Sequence, residues 1–188
     1  SKQYLSRVET GAEPVSASLE QALVEHLGIL PEFLRHVDPM PLTEEQCHFR
    51  KQLTTKVALR QYARARGEML KRLVCVLEEH LDMPGYRITE ADPTSEESIE
   101  RGAEQCRSAW GLGWGPISNI TRVAENAGAV VMRVNGLANE VDAVSFATRR
   151  PVIALNGSGR SACRARFGVA HELGHFALHI GVLTGDRL

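Results

Sequence analysis

An α+β fold, mostly helical with a small, about three-stranded antiparallel sheet, follows from three features of the sequence. Apolar residues recur at helical spacing over long stretches, within 43–81, 95–109 and 163–180. From 129 to 155 the pattern changes to short runs of strand length, rich in Val, Ile and Ala. A polar loop, Asn156-Gly-Ser-Gly-Arg160, then leads into the last helical stretch, which has the sheet to pack against.

Taken in order, residues 1–11 read as a short helix capped by Ser1 and stopped by Gly11. A second helix runs from Ser18 to Leu27 with Leu19, Ala22, Leu23 and Leu27 on one face. A third follows Pro31, with Phe33, Leu34 and Val37 apolar. Pro39-Met-Pro41 disfavours helix on either side and marks a boundary after residues 1–40.

Thr43 then caps a long helix, with Glu44 and Glu45 in its first turn, that continues to about Leu81 with Gly67 as its one breaker. Its apolar face takes Phe49, Leu53, Val57, Met69, Leu70, Leu73, Val74, Leu77 and Leu81. Between residues 50 and 72 eight Lys and Arg residues stand against a single Glu68. Such a face tracks phosphates, or is simply solvated, or answers the acidic run from Glu90 to Glu104. Helix and following polar linker make up 43–94.

The region 95–188 opens with a helix from Ser95 to Ala109, bearing Ile99, Ala103 and Cys106 on one face. The glycines of Trp110–Gly115 make a turn, and Pro116 suits the first turn of a helix reaching about Ala127. Strands are expected at Ala129–Val134, Val141–Thr148 and Pro151–Leu155, the last two joined as a hairpin through Arg149-Arg150-Pro151. The Gly-x-Gly of the next loop reads as a phosphate cradle or as a mobile connection into the final helix.

The chain has 188 residues, enough for one full core or two small ones. A formal net charge of −1 gives no global pull toward nucleic acid or membrane. Cys47, Cys75, Cys106 and Cys163 lie far apart without a C-x-x-C pair, and read as buried free thiols of a reducing compartment. With neither a secretory signal nor an apolar run of spanning length, a cytoplasmic protein without membrane contact is expected.

The chemistry concentrates in residues 167–179, which contain His171-Glu172-x-x-His175. A four-residue step along a helix rises about 6 Å and returns nearly to the same face. His171 and His175 can therefore close on one Zn²⁺ while Glu172 acts as base toward a zinc-activated water. One stripe of the helix, Cys163, Phe167, Ala170, Gly174 and Ala177, and a second, Val169, Leu173, Phe176 and Ile180, are expected to be buried. Arg164, Gly168, His171, Glu172, His175 and His179 share the remaining face, with open space beside Gly168. The competing reading is an amphipathic helix whose histidines are merely solvated or hydrogen-bonded. His179 is not the third ligand, since on an unbroken helix it lies about 12 Å along the axis from His171. The longer metzincin spacing fails as well, with Leu178 and Gly181 at the required positions.

The run Arg166-Phe-Gly-Val-Ala-His-Glu-Leu-Gly-His-Phe-Ala-Leu-His179 resembles the signature of the ImmA/IrrE metallopeptidases. The similarity extends through Trp110–Asn119 and Pro151–Asn156 and covers roughly residues 95–188. It implies a small intracellular zincin that cleaves a repressor or antitoxin, with an acidic third ligand beyond the motif. Asp186 is the sole carboxylate there, and Gly181 and Gly185 would let the chain turn back. Eleven residues are short for such a return, so a two-histidine site, with water or a vacancy in the third position, is expected. If substrate pairs with a sheet edge as in zincins generally, the strand ending at Asn156 or its neighbour presents that edge.

Residues 1–40 resemble the second half of a Cro/repressor-type (XRE) helix-turn-helix domain. That resemblance implies that Lys2, Gln3 and Arg7 face the major groove of DNA while Leu5 and Val8 pack inward. Nothing in the sequence supplies the two preceding helices. Either the sequence is part of a longer product or this segment packs against another subunit, as in a homodimer; a structural cap without DNA contact is the alternative. The combined expectation is a zinc endopeptidase linked to transcription. The alternatives are a DNA-binding regulator with a structural or sensing zinc, and an interaction module that binds a toxin or repressor without cutting it. Glu172 favours the enzyme, because a structural site has no use for a carboxylate beside its ligands.

Overall fold

The computed structural model describes residues 1–38, 40–43, 46–48, 57–137 and 141–178. The chain divides into two compact units, Ser1–Pro41 and Leu42–Leu188.

The first unit holds three helices, α1 (Lys2–Glu9), α2 (Ala17–Leu27) and α3 (Pro31–Arg35). Their ends are set by local chemistry. Ser1 Oγ accepts from the Tyr4 amide, Ser16 Oγ accepts from the Leu19 amide, and Gly28 closes α2 in the left-handed conformation. Leu5 lines a shallow groove with Leu19, Ala22, Leu23, Glu25 and His26. No residue of the three helices is fully buried.

The second unit is built on a sheet. Its elements are β1 (Cys47–His48), α4 (Val57–His80), α5 (Glu96–Ala109), α6 (Ile120–Asn126), β2 (Val130–Val134), β3 (Ala143–Phe146), β4 (Val152–Asn156) and α7 (Ala162–Leu178). The strand order is β1-β3-β4-β2. β3 and β4 form the expected antiparallel hairpin, with Ala143 opposite Leu155 and Phe146 opposite Val152. The α+β class holds, but the sheet is mixed and gains a fourth strand. β2 runs parallel to β4, and β1 pairs antiparallel to β3 through Cys47 with Phe146 and His48 with Ser145.

β1 replaces the start of the helix expected from Thr43. Gln46 O accepts from the Ala147 amide at 2.9 Å and its side-chain amide donates to Ala147 O, so pairing to the sheet overrides the local capping signal. Glu44, Glu45, Phe49 and Leu53 lie outside the described residues. The helix after Pro116 also starts later than expected, where the Asn119 side chain accepts from the Arg122 amide.

Helices cover both faces of the sheet, so β3 and β4 are buried at every position. Ile153, Leu155 and Ala143 join Val169, Leu173 and Phe176 of α7 and Ile120 and Ala124 of α6 in one cluster. Val144, Phe146, Val152 and Ala154 join Ala63 and Val74 of α4 in the other, together with Leu42 and Cys47. The stripe that α4 buries is Ala63, Gly67 and Val74, flanked by half-buried Leu70 and Leu77; Val57, Met69, Leu73 and Leu81 are exposed. Gly67 is thus no breaker. A Cβ there would stand 2.4 Å from the Phe146 ring, so glycine lets the helix come down on the strand.

Residues 82–94 are more than a polar linker. Ile88 is buried in the α7-side cluster, the Arg87 amide donates to Ala127 O, and the Ala91 amide donates to Ala177 O at 2.7 Å. Arg150, in the β3–β4 turn, ties this path to its neighbours: it donates to Glu78 of α4 at 2.7 Å and to the carbonyls of Pro84 and Gly128. Lys71 pairs with Glu68 within the basic helix, and Arg101 with Glu97 within the acidic run. Cys47 and Cys106 are buried as expected, but Cys75 and Cys163 are exposed. Among the described residues no helix is long and apolar enough to cross a membrane.

Candidate metal centre

The candidate centre lies on α7, whose start is fixed by side chains around it. Ser161 Oγ accepts from the Arg164 amide at 3.3 Å, which caps the first turn. Arg160 and Arg164 both reach the Asp142 carboxylate, just before β3, at 3.1 and 2.8 Å. Arg166 donates to the carbonyls of Ser118 and Ile117 in the approach to α6. At the start of the Asn156–Arg160 loop the Asn156 side-chain amide donates to Val141 O at 2.8 Å, and its side-chain oxygen accepts from the Ser158 amide and hydroxyl.

From this footing α7 turns one face into the sheet. Val169, Leu173 and Phe176 are buried as the spacing predicts, while Ile180 lies outside the described residues. The other stripe follows the expectation only at its C-terminal end, where Gly174 and Ala177 are half-buried. Cys163, Phe167 and Ala170 are exposed, because the sheet takes only one side of the helix and no described element covers the next. The open space expected beside Gly168 is absent too, since a Cβ there would already touch Ala143 and Leu155.

His171 and His175 meet one turn apart. Their Nε2 atoms are 3.2 Å from each other, with the ring centroids 4.7 Å apart and the rings nearly perpendicular. Two nitrogens bound tetrahedrally to zinc at about 2.0–2.1 Å stand about 3.3 Å apart. The pair therefore fits two corners of a zinc site. Both rings are half-buried, and Phe167, 58 % exposed, stacks on His171 with centroids 6.1 Å apart.

Glu172 is placed differently from its neighbours. It is 2 % exposed, and its Oε2 accepts from Ser145 Oγ of β3 at 2.5 Å. Reading the sequence did not single out Ser145. Its signal was there: it is the polar residue of Ala143-Val144-Ser145-Phe146, in register with Ala143 on the face that meets α7.

Among the described residues no group of three His, Cys, Asp or Glu side chains is gathered to hold a metal ion. Asp186, the carboxylate considered as third ligand, lies outside the described residues, as does His179. The strand ending at Asn156 is not an edge either: β4 lies between β3 and β2, and it is its neighbour β2 that ends the sheet. In the N-terminal unit Lys2 and Gln3 are exposed on α1, whereas Arg7 Nε is engaged by Glu13 at 2.8 Å. Leu5 remains 39 % exposed and Val8 is half-buried, so the inward side of α1 is only partly covered.

Neither the curated proteins nor the solved structures yield a match to this chain. Residues 124–184, from α6 through the three longer strands to the His-Glu helix, match the IrrE N-terminal-like domain, Peptidase_M78. What the sheet and its histidine pair are similar to is thus the corresponding part of a peptidase family.

Proposed function

We propose that this chain is a zinc-dependent endopeptidase tied to transcriptional regulation, cutting a protein partner of repressor or antitoxin type in the cytoplasm. The observation that carries the reading is the approach of His171 Nε2 to His175 Nε2 at 3.2 Å, beside Glu172, within the residues that match a peptidase family. When bound, zinc polarises a peptide carbonyl and makes a water acidic enough to lose its proton near neutral pH. His171 and His175 would hold the ion through Nε2. Glu172 takes the proton from water as the carbonyl is attacked and returns it to the departing amine, which keeps the proton count balanced. Its surroundings, with sheet and helix on either side, exclude competing water.

The regulatory link rests on the resemblance of the N-terminal helices to half of a DNA-reading domain. Lys2 and Gln3, exposed on α1 and outside the Arg7–Glu13 pairing, would make the first contacts to DNA.

A second reading, a regulator in which zinc only holds structure, draws support from the burial of Glu172, since a carboxylate packed into a helix–sheet contact also serves the fold. One substitution separates the two. Glu172→Gln should keep zinc, measured by elemental analysis, and lower cleavage of a repressor or antitoxin partner by about 10²–10⁴-fold. Cleavage at the wild-type rate by Glu172→Gln would remove Glu172 from the mechanism, whereas no cleavage by the wild-type, zinc-bound chain would leave the structural reading. Unchanged zinc in a His171→Ala, His175→Ala double variant would remove the metal site itself.

A further inference from the structure

We propose that Ser145 is a positioning residue for Glu172, fixing the orientation of the carboxylate that serves as base. The inference rests on the peptidase reading of the site and adds to it a residue from outside the His-Glu motif.

The geometry begins with strand alternation. In β3, Val144 and Phe146 belong to the face covered by α4, while Ala143 and Ser145 belong to the face covered by α7. On that second face the neighbouring positions of β4 are Ile153 and Leu155, and the α7 residues against them are Val169, Leu173 and Phe176. A hydroxyl amid such neighbours has little reason to be there for packing. Ser145 is 0 % exposed and donates to Glu172 Oε2 across 2.5 Å, a hydrogen bond between two groups both removed from water.

Two consequences follow for the chemistry. A glutamate side chain has three torsions, and losing their freedom costs up to about 2 kcal/mol. Bonding one oxygen to a rigid strand in the resting protein means that this ordering precedes the reaction. Moreover, the donor lies on a strand paired on both sides, so the carboxylate is held by the sheet as well as by its own helix. The role of Ser145 is exerted through Glu172.

The test uses the whole chain and three variants, Ser145→Ala, Ser145→Thr and Glu172→Gln. In metal-free protein, the infrared carboxylate band lost in Glu172→Gln identifies Glu172, and that band should shift in Ser145→Ala. With zinc loaded and a pool of fluorescence-quenched peptides as substrate, Ser145→Ala should lose about 10–50-fold in kcat at unchanged KM and unchanged zinc content. Ser145→Thr, which keeps the hydroxyl on a β-branched strand residue, should recover most of the loss; circular dichroism checks that each variant is folded. A stationary band in Ser145→Ala would show that the hydrogen bond is not made, and overturn the proposal. So would a wild-type kcat in Ser145→Ala, or a loss that arrives with depleted zinc or raised KM. Failure of the wild-type, zinc-bound chain to cut any peptide is a different result: it defeats the peptidase reading, and the positioning role with it, even where the band has moved.

Discussion

The N-terminal helices and the helix-covered sheet are stabilised in opposite ways. In Ser1–Pro41 the elements end where short-range chemistry tells them to, at Ser1, Ser16 and Gly28, and no residue of the three helices is buried. In the second unit two central strands are buried at every position, and elements are placed by what they pack against. β1 exists only because Cys47 and His48 meet Phe146 and Ser145, a hundred residues away. Local propensity thus builds helices cheaply but leaves them few long-range contacts, whereas the sheet stands or falls as a cooperative whole.

Paired substitutions of one residue type should bring out this difference most strongly. Phe146→Ala empties a fully buried site between β3 and α4 and should cost about 3–5 kcal/mol in urea unfolding. Phe33→Ala, at a position 38 % exposed, should cost under about 1 kcal/mol. Equal costs for the two would mean that the first unit has a core after all. A smaller effect comes from the close approach at Gly67. Gly67→Ala raises helix propensity, yet its methyl meets the Phe146 ring, so a net loss of about 1–3 kcal/mol is expected. A gain in thermal stability would show that α4 can lift off the strand at no penalty.

The smallest effect is chemical. Alkylation of the native protein near pH 8, followed by mass spectrometry, should modify Cys75 and Cys163 and spare Cys47 and Cys106. Burial pushes the Cys106 thiol above its ordinary range, so its thiolate is scarce under those conditions. The sign for stability is the same. Cys106 favours the folded state below the unfolded thiol's pKa, and that preference is lost as pH rises through the higher folded value. Rapid labelling of all four cysteines would point to opening of the sheet unit.

What could be read in advance divides along the same line. A cap and a glycine announced α1, and apolar spacing announced α2 and α5, each to within a residue or two, since those signals are local to each helix. The runs of β4 and its hairpin partner were visible, but the parallel pairing of β2 with β4 was not, because direction depends on where the intervening chain packs. His171 and His175 were legible because four-residue spacing on a helix dictates their meeting. The exposure of Phe167 and the tie from Ser145 to Glu172 were not, for both depend on which side of α7 the sheet takes.

Alternation along β3 makes the accuracy of strand alignment a condition for chemistry. Ser145 and Phe146 are adjacent in the chain but serve opposite faces, one beneath the Glu172 carboxylate and the other beneath Gly67. A slip of a single residue would turn each to the opposite face. In one direction an aromatic ring would press against the buried carboxylate; in the other a hydroxyl would lie beneath Gly67. Either error is costly, so the hairpin is held against misalignment both ways. The same dipeptide that could poison the site therefore acts as its proofreader, admitting only the alignment in which the His-Glu helix is correctly furnished.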